Sequence, residues 1–464
     1  MTRDPKLLDD ALTFLYNACH PRIAATKEQY LDLEDVRGGG AFTRHFCRQL
    51  QRSLPSTATH YECHLFTGHQ GSGKSSELQC LSRELEKGVG QRRILPVYMD
   101  AEEYLDRNDV HLFDILFATV AEVGAALKDK ANIKLKDSYF EARLREMKTI
   151  FFNEVEPTEA EWNLGVFKSK FKIIKTSHNA RKEVREALRP HENSLLTEIN
   201  LLLDRARKLL REQTLYSDFA LILDNLEKIR KVSGKEEGDE SLEHLFVGAS
   251  NQLGGLAAHT VLTLPLSLAR SHVGGEWRNL YGCEPFSLPM VKTRRRKEYQ
   301  PYEKGYAKLK VLLQKRLDLM PRSQGLRWEE VFEDAATNTL IEFSGGDVRT
   351  LMYYIQEAIT EENQAPITQK SARIALRASK RTFDASIAHW DKLAKLEQSA
   401  DQKIPNDDAE YRVLLQQGAI LEYINGSDGL EEEALGEETP WYAVHPLVRE
   451  LQRFKAAGLK AQAL

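Results

Sequence analysis

Residues 68–75 read Gly68-His69-Gln70-Gly71-Ser72-Gly73-Lys74-Ser75 and follow the pattern G-x-x-x-x-G-K-S of a Walker A loop. Glycines allow the backbone N–H groups of such a loop to turn inward around phosphate oxygens. Lys74 is expected to reach the β- and γ-phosphates, and the Ser75 hydroxyl to ligate Mg²⁺. The residues expected to bind the nucleotide are Gly68, Gly71, Ser72, Gly73, Lys74, Ser75 and Ser76.

The sequence on either side of the loop supports this interpretation. Residues 63–67 are apolar enough for a short buried strand. Residues 76–85 predict a helix, because Leu78, Leu81 and Leu85 recur on one helical face. Strand, loop and helix in this order are the context that a phosphate-binding loop requires, and they favour nucleotide binding over a glycine-rich turn without function.

The overall composition excludes several other classes of protein. The net charge of −4 gives no global sign of affinity for nucleic acid or membranes. The five cysteines are scattered, so neither a zinc site nor a disulfide framework is indicated, and a cytoplasmic location is expected. No apolar run approaches 18 residues, which predicts no membrane span.

Further apolar segments alternate with helical patterns along the chain. Strands are predicted over 94–100, 219–224, 260–265 and 286–291, with amphipathic helices between them. This alternation is typical of an α/β fold with a parallel sheet. The stretch before the loop, residues 1–62, is either a packed leader or a cover for the base, with Val36 and Arg37 as candidates for adenine contact.

A second motif lies at the end of the segment 219–224. Five apolar residues precede Asp224 there, which is the pattern of a Walker B strand, whose Asp holds Mg²⁺ beside the phosphate-binding loop. The following residue, Asn225, cannot accept a proton from an attacking water. The position directly after Asp224 therefore supplies no general base.

The run Asp224-Asn225-Leu226-Glu227-Lys228 resembles the D-G-L-D-E variant found in NACHT and other STAND ATPases. From about residue 28 to 450 the chain is similar to AAA+/STAND P-loop ATPases of prokaryotic type. The resemblance implies ATP and Mg²⁺ as ligands, and it implies that Glu227 orients water. In the alternative, Glu227 pairs with a neighbouring cation and hydrolysis is slow or absent.

The same resemblance implies roles for residues farther along the chain. Thr263 lies where sensor 1 contacts the γ-phosphate or the water, although a β-branched residue also suits a strand. Arg270 and Arg278 are candidates for an arginine finger, or are plain surface arginines. Arg349, after a turn of small residues, corresponds to sensor 2 of a lid, or belongs to an ordinary capped helix.

The expected domains are an N-terminal leader (1–62), an ATPase core (63–292) with an inserted arm (130–190), a helical lid (293–365) and a winged-helix-like domain (366–464). In the last domain a hairpin tip carries six carboxylates and no Lys or Arg over residues 428–438, which would repel DNA phosphates. The inserted arm is the most basic region, and it is either a solvated face or a nucleic-acid surface. Its cations include Lys168, Lys170, Lys172, Arg181 and Arg185.

Three functions fit this organisation. The first is an ATP-driven switch or motor that forms a homo-oligomer and acts on a separate effector protein, a class that the resemblance links to defence against phage. The second is a DNA-associated AAA+ ATPase, like an origin-binding or transposition regulator. The third is a nucleotide-dependent scaffold without turnover.

Overall fold

The computed structural model describes residues 4–53, 61–88, 92–105, 110–133, 186, 192–228, 242–296, 299–321, 325–425 and 440–462. Within these ranges, five strands form one parallel sheet in the order β2-β3-β4-β1-β5. The strands are β1 (Cys63–Gly68), β2 (Arg93–Asp100), β3 (Tyr216–Asp224), β4 (His259–Pro265) and β5 (Phe286–Leu288). The predicted α/β core with a parallel sheet is therefore confirmed.

Helices cover both faces of this sheet, as buried parallel strands require. The described helices up to the end of the sheet, of which α1 and α2 pack elsewhere, are α1 (Pro5–Ala18), α2 (Glu34–Arg37), α3 (Phe42–Ser53), α4 (Lys74–Lys87), α5 (Ala101–Tyr104), α6 (Leu112–Asp129), α7 (Glu192–Gln213), α8 (Ser250–Gly254), α9 (Leu266–Ala269) and α10 (Trp277–Tyr281). Helices α6 and α7 pack on one face, where Leu65 and Leu221 point, while α3 and α4 pack on the other, against Phe66 and Ile222. Successive side chains of each strand therefore pack into two separate cores, one on each face of the sheet.

Strand β5 is shorter than the predicted strand over 286–291. Pro289 directly follows Leu288 and has no N–H to donate to a sheet ladder. The next residue, Met290, donates its N–H to the carbonyl of Glu422 instead, at 3.1 Å. The chain therefore leaves the sheet at this point.

A group of helices follows the sheet, packs against α1, and is called the lid below. It contains α11 (Glu303–Asp318), α12 (Trp328–Val331), α13 (Asp334–Ser344) and α14 (Val348–Glu362). Leu12 and Leu15 of α1 are buried in the same cluster as Leu313 and Ile355 of the lid. Helix α1 is therefore part of the packing of these later helices.

The C-terminal part contains an antiparallel hairpin between helices. The helices are α15 (Gln369–Ala375), α16 (Arg377–Ser386), α17 (Trp390–Gln398), α18 (Ala409–Gln416), α19 (Pro446–Arg449) and α20 (Gln452–Gln462). Strands β6 (Ile420–Ile424) and β7 (Pro440–Val444) pair antiparallel. The acidic hairpin tip lies outside the described residues, as do Lys168, Lys170, Lys172, Arg181 and Arg185 of the inserted arm. In the ranges that are described, no helix is long and apolar enough to cross a membrane.

Candidate nucleotide-binding site

A cavity of about 400 Å³ lies at the carboxyl edge of the parallel sheet. Its volume falls within the range of pockets that bind small molecules and cofactors. The leader, the phosphate-binding loop, the ends of β2 and β3, and the lid all contribute to its wall. Among the lining residues are Gly71, Gly73, Lys74, Ser75, Ser76, Asp224, Glu227 and Arg349.

The loop after β1 places Lys74 at the first position of α4, where it is almost completely buried. Its ammonium donates to the carbonyls of Gly68 and His69, at 3.0 Å each. A third contact, also of 3.0 Å, joins it to Oε1 of Glu227. A buried ammonium requires such partners, and a phosphate would compete for the same donor.

Glycine is required in this loop where other backbone comes close. A Cβ on Gly68 would lie 2.6 Å from the Leu288 carbonyl oxygen, and one on Gly71 would lie 2.2 Å from Oδ1 of Asp347. Gly71 and Gly73 also have φ values of +90° and +102°. Glycine at these positions keeps the loop narrow and allows the turns by which such loops direct N–H groups towards an anion.

Asp224, at the end of β3, is fully buried next to the loop. Burial and the nearby Glu227 raise the pKa of its carboxyl, while hydrogen bonds from the Ser75 and Tyr98 hydroxyls act in the opposite direction. One carboxylate and one hydroxyl therefore meet at the start of α4. These are the hard oxygen donors that Mg²⁺ takes from a protein when phosphates complete its coordination.

Glu227 lies in the single helical turn that follows Asp224. Burial opposes its ionisation, but Lys74 and the Thr263 hydroxyl more than offset this and lower the pKa of the carboxyl. Glu227 is therefore an anion, and its Oε2 is buried without a hydrogen-bond partner among the described residues. An ionised oxygen without a partner, inside the cavity wall, is suited to accept a hydrogen bond from water.

Thr263 is buried in β4, between the strands that carry the loop and Asp224. Its Oγ1 accepts a hydrogen bond of 2.9 Å from the N–H of Leu226. The side chain thus holds the turn that carries Glu227, which places Thr263 beside the candidate base.

Asn225 has a distinct structural role. It adopts φ of +65°, a left-handed conformation that Asn tolerates better than most residues. Its amide donates to Oδ1 of Asp100 at 2.9 Å. Asn225 therefore ties the ends of β2 and β3 together.

The lid reaches the loop through the start of α14. Asp347 caps this helix by accepting the N–H of Thr350 at 2.9 Å, and its carboxylate lies against Gly71. The N–H of Arg349 donates to the Gly71 carbonyl at 3.3 Å, and its side chain lines the cavity. The structure thus brings Arg349 to the cavity.

The C-terminal hairpin also contacts the loop, through residues that sequence reasoning missed. The N–H of Glu422 in β6 donates to Nε2 of His69 at 2.8 Å. The buried Glu422 carboxylate accepts two hydrogen bonds from Arg270, at 2.8 and 3.0 Å, and another from Tyr442. Arg270 holds the pKa of Glu422 near 2 in spite of full burial.

This pairing corrects the interpretation of Arg270 as a candidate arginine finger. Its guanidinium is bound inside the chain in a two-pronged pair with Glu422, so it is not available to a neighbouring subunit. Arg278, by contrast, is mostly exposed, and its contact with Glu284 is 3.8 Å long. A lone carboxylate inside an apolar strand, at Ile420-Leu421-Glu422-Tyr423-Ile424, was the one sequence signal that could have indicated the pair.

The two leader candidates for adenine contact have other roles. Val36 is buried in the core of the lid and does not line the cavity. Arg37 lines it, but its guanidinium is buried and donates to the carbonyls of Ser72 and Pro289. Arg37 therefore supports the phosphate-binding loop through its hydrogen bond to the Ser72 carbonyl.

The residues present fit a nucleotide with Mg²⁺. Glycines whose Cβ positions are blocked form the cradle, Lys74 supplies the cation, and Ser75 with Asp224 supply hard oxygens. In the described ranges, no three His, Cys, Asp or Glu side chains converge as a metal site of their own. A metal ion here would depend on phosphate oxygens for most of its ligands.

Comparison with known proteins gives a fold likeness only. No protein-family model matches the chain, and no curated protein matches it. Cdc6p from Pyrobaculum aerophilum is similar over 96% of this chain and 98% of its own, with 12% identity and a TM-score of 0.41. The Aeropyrum pernix ORC2 protein, solved as ADPNP-ADP complexes, is similar over 96% and 98% of the two chains, with 11% identity and a TM-score of 0.42.

The Aeropyrum pernix ORC1 protein, solved in complex with DNA, is similar over 92% of this chain and 95% of its own. Its identity is 12% and its TM-score 0.35. Likenesses this weak carry no argument about activity or partners.

Proposed function

We propose that this chain binds ATP with Mg²⁺ in the cavity and hydrolyses it, and that the bound nucleotide sets how the lid and the C-terminal hairpin pack on the phosphate-binding loop. The convergence of Lys74, Asp224 and Glu227 in one cavity carries this proposal. The three side chains come from two separate segments and supply the phosphate, metal and water functions that hydrolysis needs.

Each residue would act at a stated atom. The loop N–H groups and Lys74 would hold the phosphate oxygens, and Ser75 with Asp224 would hold Mg²⁺, whose charge stabilises the leaving phosphate. Glu227 Oε2 would accept a hydrogen bond from the attacking water. Thr263 would keep the turn of Glu227 in place, and Arg349 would offer a cation from the lid.

Nucleotide state would reach the rest of the chain through two contacts on the loop. Gly71 touches the start of α14, and His69 accepts from Glu422 in β6. A change in the conformation of the loop would therefore alter the packing of both the lid and the hairpin on it. Homo-oligomerisation, a separate effector protein, a winged-helix role for the hairpin and a part in defence against phage remain proposals that rest on the sequence resemblance.

Binding and phosphate release by purified variants test this proposal. Lys74→Ala should abolish ATP binding, and Asp224→Asn should remove the dependence on Mg²⁺. Ser82→Ala on the same helix α4, whose hydroxyl only bonds its own Leu78 carbonyl, is the matched control. ATP binding that is equal in Lys74→Ala and the control would exclude this cavity.

A DNA-associated ATPase is the second candidate. The observation on this chain that favours it is a row of exposed cations along α15 and α16. These are Lys370, Arg373, Arg377 and Arg381.

A salt-dependent DNA shift assay separates the two candidates. Contacts with phosphates give a steep loss of affinity as salt rises, and each lost cation lowers the slope by about one. One variant would change Arg373, Arg377 and Arg381 to Ala, and a second would change Lys168, Lys170 and Lys172 to Ala. Absence of binding by the wild type at low salt would exclude the DNA-associated candidate.

A further inference from the structure

One wall of the cavity contains a buried arginine with two unpaired donor atoms among the described residues. Arg316 lies near the end of α11 and is only 5% exposed. Its Nε and Nη1 are buried, and neither has a hydrogen-bond partner among the described residues. Leaving the donors of a buried guanidinium unpaired is costly, so a bound ligand that accepts from them would recover the lost free energy.

The surroundings of Arg316 show which part of a nucleotide would lie there. Leu312 and Leu33, both buried, line the cavity with it, together with Tyr30. Ile23 is 66% exposed and lines the same cavity. Apolar side chains around a few placed donors suit a flat heterocycle better than a phosphate.

The leader fixes the position of this wall relative to the phosphates. The N–H of Ala25 donates to the Ser76 hydroxyl at 3.0 Å, so the leader crosses the start of α4 beside the phosphate-binding loop. The ammonium of Lys315, next to Arg316 in the chain, donates to the Tyr30 carbonyl at 2.6 Å and is thereby used within the protein. Arg316 lines the same cavity, and its Nε and Nη1 are left without partners among the described residues.

We propose that Arg316 recognises the base of the bound nucleotide by donating hydrogen bonds to the N7 edge of a purine. This inference rests on the proposed nucleotide binding. Adenine offers N7 on this edge, and guanine offers N7 together with O6, the pair of acceptors that arginine binds in a two-pronged manner. The site is then selective for purines, and loss of Arg316 weakens GTP at least as much as ATP.

Titration calorimetry tests this with wild type and Arg316→Met, which keeps the length and removes the donors. The ligands are ATP, GTP, 7-deaza-ATP and tripolyphosphate, each with Mg²⁺. Arg316→Met should weaken ATP about tenfold and leave tripolyphosphate, which has no base, unchanged. The exposed Arg381→Met in α16 is the matched control and should change none of them.

Wild type alone gives a second test that does not depend on how the variant folds. Wild type should bind 7-deaza-ATP, which lacks N7, about tenfold more weakly than ATP. As an additional check, Arg316→Met should bind the two nucleotides equally. An equal loss of ATP and tripolyphosphate in Arg316→Met would overturn the inference, because Arg316 would then act on phosphates or on the fold.

Failure of the inference and failure of the proposed function give different results. If wild type binds ATP and tripolyphosphate, and Lys74→Ala binds neither, nucleotide binding stands whatever Arg316 does. Equal affinity of wild type for ATP and 7-deaza-ATP then overturns the inference alone. If wild type binds no nucleotide, both are overturned.

Discussion

The ammonium of Lys74 and the Oε1 atom of Glu227 are 3.0 Å apart, and both side chains are buried. The candidate base is thus the counter-ion of the phosphate-binding lysine. A triphosphate on the loop would compete with Glu227 for Lys74 and would leave the carboxylate free to bind water. Binding and activation of the base would therefore be linked through one ion pair.

Glu227→Gln should separate binding from hydrolysis. The amide keeps the shape of the side chain but cannot accept a proton, so kcat should fall about 100-fold or more. ATP affinity should be unchanged or tighter, because Lys74 loses its competing carboxylate. Phosphate release and equilibrium binding measure the two effects.

Glu102→Gln is the control for this variant, because Glu102 also lines the cavity and pairs with Lys228. It should reduce kcat much less than Glu227→Gln does. A hydrolysis rate in Glu227→Gln equal to that of wild type would show that Glu227 is not the base.

Removing one member of the Arg270–Glu422 pair should destabilise the chain. Arg270→Met leaves the buried Glu422 carboxylate without its main partner, and such losses cost about 3 kcal/mol or more of unfolding free energy. Urea denaturation followed by fluorescence measures the change. The contact between the hairpin and the phosphate-binding loop should also weaken, because the backbone N–H of Glu422 donates to His69.

The double variant Arg270→Met with Glu422→Met is the informative control. Replacing both charges by apolar side chains removes the unpaired carboxylate and should recover much of the lost stability. If each single variant is as stable as wild type, the pair does not hold the hairpin to the core.

The features of the site that could be predicted from sequence are those whose signal is local. The loop at 68–75 and the strand before Asp224 each combine a short motif with an apolar run, so their elements followed from periodicity. The parallel sheet then follows from alternating strands and helices. The assignment of Glu227 depended on the resemblance of residues 224–228 to the STAND variant, and in the structure Glu227 lies against Lys74.

The features that could not be predicted depend on residues far apart in the chain. Glu422 lies in an apolar strand, and only its contact with Arg270 explains why a carboxylate is buried there. His69 occupies a variable position of the loop motif, so the motif gives it no role. Arg316 lies in an ordinary amphipathic pattern, and its unpaired donors become evident only when the cavity is known.

Acid should loosen the contact between His69 and the hairpin. Burial lowers the pKa of His69 to about 4; the charge of Glu422 opposes this shift, and smaller effects of Lys74 and Arg270 add to it. A histidine with a folded pKa below its unfolded value of about 6.5 binds more protons when unfolded, so its contribution is present above pH 6.5 and is lost as the pH falls towards 4. The difference corresponds to about 3 kcal/mol.

This is checked by measuring the unfolding free energies of wild type and His69→Gln from about pH 7.5 to about pH 4. This range spans the unfolded and the folded pKa of His69. The variant keeps an acceptor for the Glu422 N–H but cannot be protonated, so its stability should fall less over this range. The exposed His272→Gln is the matched control. Parallel pH profiles for wild type and His69→Gln would contradict the assignment.

Gly71→Ala should separate the lid from the loop. The new methyl group would lie 2.2 Å from Oδ1 of Asp347, and alanine at φ of +90° is also strained, so α14 must move away and ATP should bind about tenfold more weakly or worse. Gly282→Ala has a similar φ of +76° with nothing within 4 Å of the added atom, so it reports the strain alone. Asp347→Ser should restore part of the ATP binding lost in Gly71→Ala, because serine still caps α14 and its side chain is shorter, while the backbone strain at residue 71 remains. If Gly71→Ala and Gly282→Ala bind ATP equally well, the contact between Gly71 and Asp347 does not govern closure of the lid.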